Sequence, residues 1–211
     1  MEAVSEIAYG LFEHYLTSQF NVRKQPLYRL VEDKTPFKEE FSEIFTRFQE
    51  LYPDIAQQLQ VRYSSSDEMY NLFFDGEGVI PSKTIQTYWI IQDAPETDPH
   101  ATEDEKAGKW LIFVQPDQVD EIWKKIRDLT WQNELGILAK VSTAKKNPDS
   151  RDERRVIYVY TADWEDEEEV MRVREKLRSI GVIDRIGYKR NIETFKGEYA
   201  SKGKRVTYYS A

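Results

Sequence analysis

The stretch KWLIFVQ, Lys109–Gln115, indicates the fold class of this 211-residue chain. Its run of apolar and aromatic residues has the composition and the length of a buried β-strand. Three other stretches share that composition: TIQTYWIIQ (Thr84–Gln92), GILAKVS (Gly136–Ser142) and RVIYVYT (Arg155–Thr161). These four stretches predict that the second half of the chain builds a sheet.

Two helices are predicted between these strands, because apolar residues recur there at helical spacing. The first helix begins at Pro116-Asp117, and the second is capped by Asp163 and stopped by Gly181. Their apolar faces contain Val119, Ile122, Trp123, Ile126 and Leu129, and Val170, Val173, Leu177 and Ile180. Short β-like pieces near 185–188 and 205–209 complete the order β-β-α-β-β-α-β-β. This order predicts an α+β fold, with one curved, mostly antiparallel sheet backed by helices.

The first part of the chain has a different pattern. Apolar residues at helical spacing predict helices over 4–18 and after Thr35-Pro36. Residues 64–84 contain the run Ser64-Ser65-Ser66, two glycines and a proline, so we expect a loop region there with one short strand near Leu72–Phe74. We therefore divide the chain into an N-terminal helical extension, 1–63, and an α+β domain, 64–211.

Composition excludes several function classes. The chain has no cysteine and two histidines, which removes disulfides, thiolate chemistry, zinc fingers and iron–sulfur ligation, and we expect no metal site and no cofactor. No apolar run approaches the ~20 residues of a membrane span, and the N-terminus lacks the pattern of a signal peptide. The expected protein is cytoplasmic and has no membrane partner.

The net charge of −8 is unevenly distributed. Residues 1–108 carry −11, whereas residues 109–211 carry +3. The most basic part is 185–205, whose seven cations include Lys196, Lys202, Lys204 and Arg205. A basic segment of this kind favours a polyanionic partner. His100 lies in an acidic loop and is expected to be exposed, and the acidic run Glu165–Glu169 is expected to open a helix.

Basic and aromatic residues are interleaved in this second half. Lys140 lies in the middle of a predicted strand, so its side chain faces away from those of Ala139 and Val141. Cations can hold a phosphate while a nucleobase stacks on a neighbouring ring. Alternatively, the tyrosines half-bury on the sheet and the lysines keep the loops soluble. The candidate ligand-binding residues are Lys109, Lys140, Lys145, Lys146, Arg154, Arg155, Tyr160, Tyr188, Lys189 and Arg190.

Several blocks of the second half form a distinctive combination: Gly108–Val114, Val119–Trp123, Glu134–Gly136, Ala139–Ser142, Val156–Thr161, and Tyr188-Lys189 followed by Thr194 and Gly197. Together they resemble the basophilic-leukaemia-expressed (Bles) protein family, which is associated with the fold of the cap-binding translation initiation factor. The resemblance covers about residues 84–200. It implies a curved antiparallel sheet with helices on its convex face and a ligand groove on its concave face.

The cap-binding factors themselves also resemble this segment, through the Gly-basic-Trp-Leu-Ile strand and the turn Ile186-Gly187-Tyr188. Those factors hold 7-methylguanine between two tryptophans. Here the loop Asp98–Glu103 has no tryptophan, Tyr160 stands at the position of the later one, and Ser142 stands at that of a phosphate-binding arginine. The loop lysines match Lys145 and Lys146. The resemblance therefore implies a nucleotide or RNA ligand on this face, without a complete pair of cap-stacking tryptophans.

A looser resemblance is to the bacterial phosphothreonine lyases. Their Lys-Phe-His and Lys-Val-Thr strands match Lys109-Trp110-Leu111 and Lys140-Val141-Ser142. This resemblance implies that Lys140, with Lys109 beside it, would act as the base of a β-elimination, although Leu111 replaces the histidine that serves as general acid.

We expect a binding protein rather than an enzyme, engaging RNA, a nucleotide or another phosphate-bearing ligand. A phosphothreonine-lyase-like enzyme is one alternative. A protein-interaction module, with a protein partner on the N-terminal helices, is another.

Overall fold

The computed structural model describes residues 2–97, 104–148, 152–195 and 207–211. The chain forms two compact units, of which the first comprises residues 1–88 and 143–148 and the second comprises 89–142 and 149–211. The predicted division into 1–63 and 64–211 stays a prediction. In the part of the chain that is described, no helix is both long enough and apolar enough to span a membrane.

The first unit contains five helices around an aromatic core. They are α1 (Glu2–Val22), α2 (Leu27–Glu32), α3 (Lys38–Leu51), α4 (Pro53–Arg62) and α5 (Ser66–Asp75). The ring of Phe12 on α1 lies 5.1–6.1 Å, between centroids, from those of Phe41, Phe45, Phe48 and Phe73. Edge-on aromatic contacts of this kind stabilise a core beyond the burial of area alone.

The strand predicted near Leu72–Phe74 is wrong, because this segment belongs to α5. Ser65 caps the helix, since its hydroxyl accepts a hydrogen bond from the Glu68 backbone N–H at 3.1 Å, and the Glu68 carboxylate accepts from the Ser64 N–H at 2.7 Å. These two bonds, a variant of the capping box in which Glu68 reaches the residue before the N-cap, begin the helix, and Gly76 ends it at a φ of +119°. The three serines are therefore a helix start rather than a loop.

Residues 143–148 pack within the first unit although they follow a strand of the second. The Thr143 hydroxyl donates to the Thr87 carbonyl, and the Ala144 N–H donates to the Pro81 carbonyl at 2.9 Å. Lys145 completes the attachment through an ion pair with Glu6, at 3.2 Å.

The second unit is built on one six-stranded sheet, counted over the described residues. Its strands are β1 (Trp89–Asp93), β2 (Gly108–Val114), β3 (Leu138–Ser142), β4 (Arg155–Thr161), β5 (Gly187–Arg190) and β6 (Tyr209–Ser210). The spatial order is β1-β3-β4-β2-β5-β6, and the neighbouring strands pair antiparallel. Together with the helices, this confirms the predicted α+β fold.

Strand β1 is shorter than the predicted Thr84–Gln92. The backbone N–H groups of Ile85 and Gln86 donate to the Glu77 carboxylate at 3.0–3.1 Å, so they are not available to a sheet ladder. The Thr84 hydroxyl is likewise held in a turn, at 2.9 Å from the Ile80 carbonyl. The strand therefore begins only at Trp89.

Helices α6 (Val119–Trp131) and α7 (Glu167–Ser179) cover one face of the sheet, and a short α8 (Asn191–Phe195) follows β5. The predicted stripes of both helices lie in the core or against it. Helix α6 begins three residues after Pro116. Asp166, rather than Asp163, caps α7, because its carboxylate accepts from the Glu169 N–H at 3.0 Å.

Trp110 on β2 lies at the centre of the contact between the sheet and the helices. Its side chain is fully buried, its indole N–H donates to the Val170 carbonyl of α7 at 3.1 Å, and its ring meets that of Tyr188 edge-on at 5.2 Å. Tyr188 shares a buried hydrogen bond of 2.6 Å with the Thr161 hydroxyl. These contacts fix β2, β4 and β5 against α7.

Candidate functional site

Three lysines lie on the sheet face opposite to α6 and α7. Residues alternate between the two faces of a strand, so the burial of Ala139, Val141 and Trp110 against the helices places Lys140 and Lys109 on the other face. The strand register sets Lys109 directly opposite Lys189 of β5. The sheet thus brings together three cations from three strands.

Three aromatic side chains share this face with the lysines. Trp89 stacks on Tyr158, with ring centroids 5.4 Å apart and planes inclined by 28°, and Tyr160 is the next residue on that face of β4. The Lys140 ammonium lies 4.4 Å from the Trp89 centroid and 5.3 Å from that of Tyr158. We call this surface the lysine–aromatic face; its residues are Trp89, Lys109, Lys140, Tyr158, Tyr160 and Lys189.

Lys109 is a buried cation with a strongly lowered pKa. Its ammonium lies 5.0 Å from the Tyr160 centroid and donates to the Asn191 amide oxygen at 3.0 Å. Burial, followed by repulsion from Lys140 and Lys189, lowers the pKa of Lys109 to about 8, against a partial opposing effect of Glu193. The protein therefore holds a cation in a place where water stabilises it poorly and two other cations repel it.

Lys140 is held differently. Among the described residues no carboxylate forms an ion pair with it, and its ammonium lies over the faces of three aromatic rings. Burial lowers the pKa of Lys140 below its ordinary value. Cation–π contacts offset part of the lost hydration, but they leave the positive charge available to an anion.

Other predicted ligand residues lie elsewhere. Lys145 packs in the first unit, where its ammonium donates to the Gln86 carbonyl at 2.9 Å and lies over the Tyr88 ring. Lys146 is exposed in the same segment. Arg154 precedes β4, pairs with Asp152 at 2.7 Å and lies over the ring of Phe113.

Arg155, Tyr188 and Arg190 are positioned on the helix-covered side of the sheet, one residue out of phase with the lysine–aromatic face. Tyr188 is completely buried in the core. The Arg190 guanidinium pairs with Glu193 and lies 4.7 and 4.4 Å from the ring centroids of Trp164 and Tyr208. The predicted ligand-binding roles of these three residues stay predictions.

Trp89 and Asn191 were not identified from the sequence. Trp89 stands two positions before Ile91, which faces Lys140 across the β1–β3 pair. Strand alternation puts Trp89 on the same face as Ile91. Trp89 could have been placed beside Lys140 only if the pairing of β1 with β3 had been known. Asn191 follows β5 directly and carries no signal of its own.

Some predictions lie outside the described residues. They concern the loop Asp98–Glu103 with His100, and the basic residues Lys196, Lys202, Lys204 and Arg205. Within the residues that are described, no cluster of three or more histidine, aspartate or glutamate side chains is arranged to hold a metal ion.

Replacing Lys109 by methionine is expected to stabilise the protein. The change removes a buried charge and keeps the length of the side chain, so the free energy of unfolding should rise by about 0.5–2 kcal/mol at pH 7. Urea denaturation measures it. The matched control is Lys125→Met, which breaks only an exposed pair with Glu121 and should change stability by less than about 0.5 kcal/mol.

The stability difference between Lys109→Met and the wild type should depend on pH. The folded chain releases the Lys109 proton near pH 8, whereas the unfolded chain keeps it to the ordinary value of 10.5. The wild type therefore gains stability as the pH rises between these values, and the advantage of Lys109→Met should shrink over that window. An advantage that is constant from pH 7 to 10 would contradict this.

Comparison with known proteins finds two similar structures and one matching family. The chain is similar in structure to schistosome eIF4E complexed with m7GpppA and 4E-BP, at 16% identity over 69% of this chain and 80% of that one, with a TM-score of 0.47. It is also similar to Ascaris suum eIF4E-3 with the m7G cap, at 13% identity over 59% and 72%, with a TM-score of 0.38. Residues 100–195 match the family described as basophilic leukemia-expressed protein Bles03, which confirms the family resemblance found in the sequence.

Proposed function

We propose that this protein binds a phosphate-bearing ligand, single-stranded RNA or a free nucleotide, on the lysine–aromatic face. The observation that supports this most directly is the cluster of Lys109, Lys140 and Lys189 on one face beside stacked aromatic rings. Clustered cations repel one another and cost stability. A bound anion would remove that cost.

The two kinds of side chain have separate tasks in this proposal. The ammonium groups donate hydrogen bonds to phosphate oxygens, and such charge-assisted bonds are about twice as strong as neutral ones. The rings of Trp89 and Tyr158 offer a flat surface to a base. Because an anion favours the protonated form of Lys109, binding should raise its pKa and weaken above pH 8.

Replacing Lys140 by methionine is expected to weaken binding of both inorganic pyrophosphate and a short single-stranded RNA. Loss of one charge-assisted hydrogen bond corresponds to roughly a 10- to 100-fold lower affinity. Isothermal titration calorimetry at low salt measures it, with Lys125→Met as the control. Wild-type affinity for the RNA should also fall as salt rises. If neither probe binds the wild type at low salt, the proposed function is wrong.

Replacing Trp89 by leucine separates stacking from phosphate binding. Stacking of a base on an aromatic side chain is worth about 1–3 kcal/mol, so affinity for the RNA should fall while affinity for pyrophosphate stays unchanged. Equal losses for both probes would contradict a stacking role and indicate that Trp89 only positions Lys140.

The lowered pKa values of Lys109 and Lys140 favour, as a second candidate, the lyase-like reaction. A lysine that is neutral part of the time can abstract a proton. Leu111, however, lies beside Lys109 on β2 where the resemblance expects the general acid.

The lyase candidate predicts that a phosphothreonine peptide loses phosphate and gains dehydrobutyrine. Mass spectrometry of the peptide detects both, and Lys140→Met should abolish the product. Unchanged peptide after long incubation with the wild type would remove this candidate.

A partner on the N-terminal helices stays a prediction. It is supported by Val4, Ile7 and Leu11 of α1, which expose 54, 64 and 46% of their surfaces at helical spacing.

A further inference from the structure

A buried carboxyl group in the first unit has no cationic partner. Glu13 of α1 is 9% exposed; one of its oxygens lies 3.5 Å from the Thr87 hydroxyl, and the other has no hydrogen-bond partner in the described part of the chain. An ionised carboxylate in such a place is costly, because it has lost water and gained little in return.

The neighbouring carboxyl group, Glu77, has the opposite surroundings. It is 4% exposed and accepts hydrogen bonds from the backbone N–H groups of Ile85 and Gln86 at 3.0–3.1 Å. Backbone N–H groups only donate, so they favour an ionised acceptor. Burial raises the pKa of Glu77, and these backbone bonds, together with Arg62 and Lys145, oppose that rise and favour the charged form.

The backbone around Glu77 closes tightly over Glu13. Gly78 has a φ of +73°, and a Cβ atom at that position would lie only 3.1 Å from a Glu13 carboxyl oxygen. Its N–H is held by the Thr84 hydroxyl at 3.0 Å. The loop 76–87 therefore packs directly on the Glu13 carboxyl group, and a side chain at position 78 would have to displace it.

The titratable groups around Glu13 come from four elements. Tyr9 shares α1, Tyr63 and Arg62 lie at the end of α4, Glu77 lies in the loop, and Lys145 acts on Glu77 from 143–148. Burial, and then repulsion from Glu77, raises the pKa of Glu13 to about 8, and the Thr87 hydroxyl opposes this. Burial also raises the pKa of Tyr9 and Tyr63, so both phenols stay neutral there.

We propose that the contact between α1 and the loop 76–87 depends on a proton carried by Glu13. In the closed contact Glu77 is the charged member of the pair and Glu13 is the neutral one. Loss of the Glu13 proton places two buried negative charges side by side. The contact then weakens, and α1 separates from the loop more often.

Hydrogen exchange of the intact chain between pH 5 and 9 tests this, with rates corrected for the intrinsic effect of pH. The folded state holds a proton that the open state releases, so protection of α1 amides should fall by up to about tenfold per pH unit toward pH 8 and then level off. In Glu13→Gln this fall should be absent. Glu50→Gln, an exposed change on α3, should behave like the wild type.

A carbon NMR titration of the glutamate carboxyl groups gives an independent measurement in the wild type, even if Glu13→Gln does not fold. One carboxyl signal, assigned to Glu13, should titrate far above the others. If every glutamate titrates below pH 6, or if Glu13→Gln keeps the pH dependence of α1 protection, the proposal is overturned.

Discussion

The second unit depends on the burial of Trp110 between β2 and α7. The indole is buried and its N–H donates to the Val170 carbonyl, so strand alternation determines the face on which the adjacent side chains of β2 lie. Lys109 and Leu111 must point away from the helices. The antiparallel pairs with β4 and β5 then carry the same alternation to Tyr158, Tyr160 and Lys189. The orientation of one buried ring thus sets which side chains of β2, β4 and β5 enter the core and which lie on the opposite face.

The two faces of the sheet hold their buried cations differently. On the helix side, Arg174 donates to the carbonyls of Val182, Asp184 and Ala211 at 2.7–3.1 Å, although burial lowers its pKa. On the other side, burial also lowers the pKa of Lys109 and Lys140, and their ammonium groups lie over aromatic rings. Binding sites commonly carry such destabilising groups, whereas structural cations are satisfied by fixed acceptors.

Much of the second unit could be predicted from the sequence, because its apolar stretches are long and the helical stripes are regular. Helix α5 was missed, since Ser64–Ser66 has the composition of a loop and only the reciprocal bonds to Glu68 reveal a capping box. For the candidate site, alternation predicted that Lys140 faces away from Ala139 and Val141. It could not tell which strands would be neighbours, so Trp89 was missed. Tyr188 and Arg190 were included because sequence proximity to Lys189 hides the face on which each side chain lies.

The attachment of residues 143–148 to the helical unit has a consequence for how the chain is made. The Thr87 carbonyl, the Pro81 carbonyl and the Glu6 carboxylate have partners in a segment that follows β3. During synthesis from the N-terminus, the five helices can therefore collapse early on their aromatic core, but the first unit cannot be finished until more than half of the sheet-forming sequence has been translated. If the chain were divided after α5, the N-terminal piece would contain the whole aromatic core. It would lack the contacts that residues 143–148 make with the first unit.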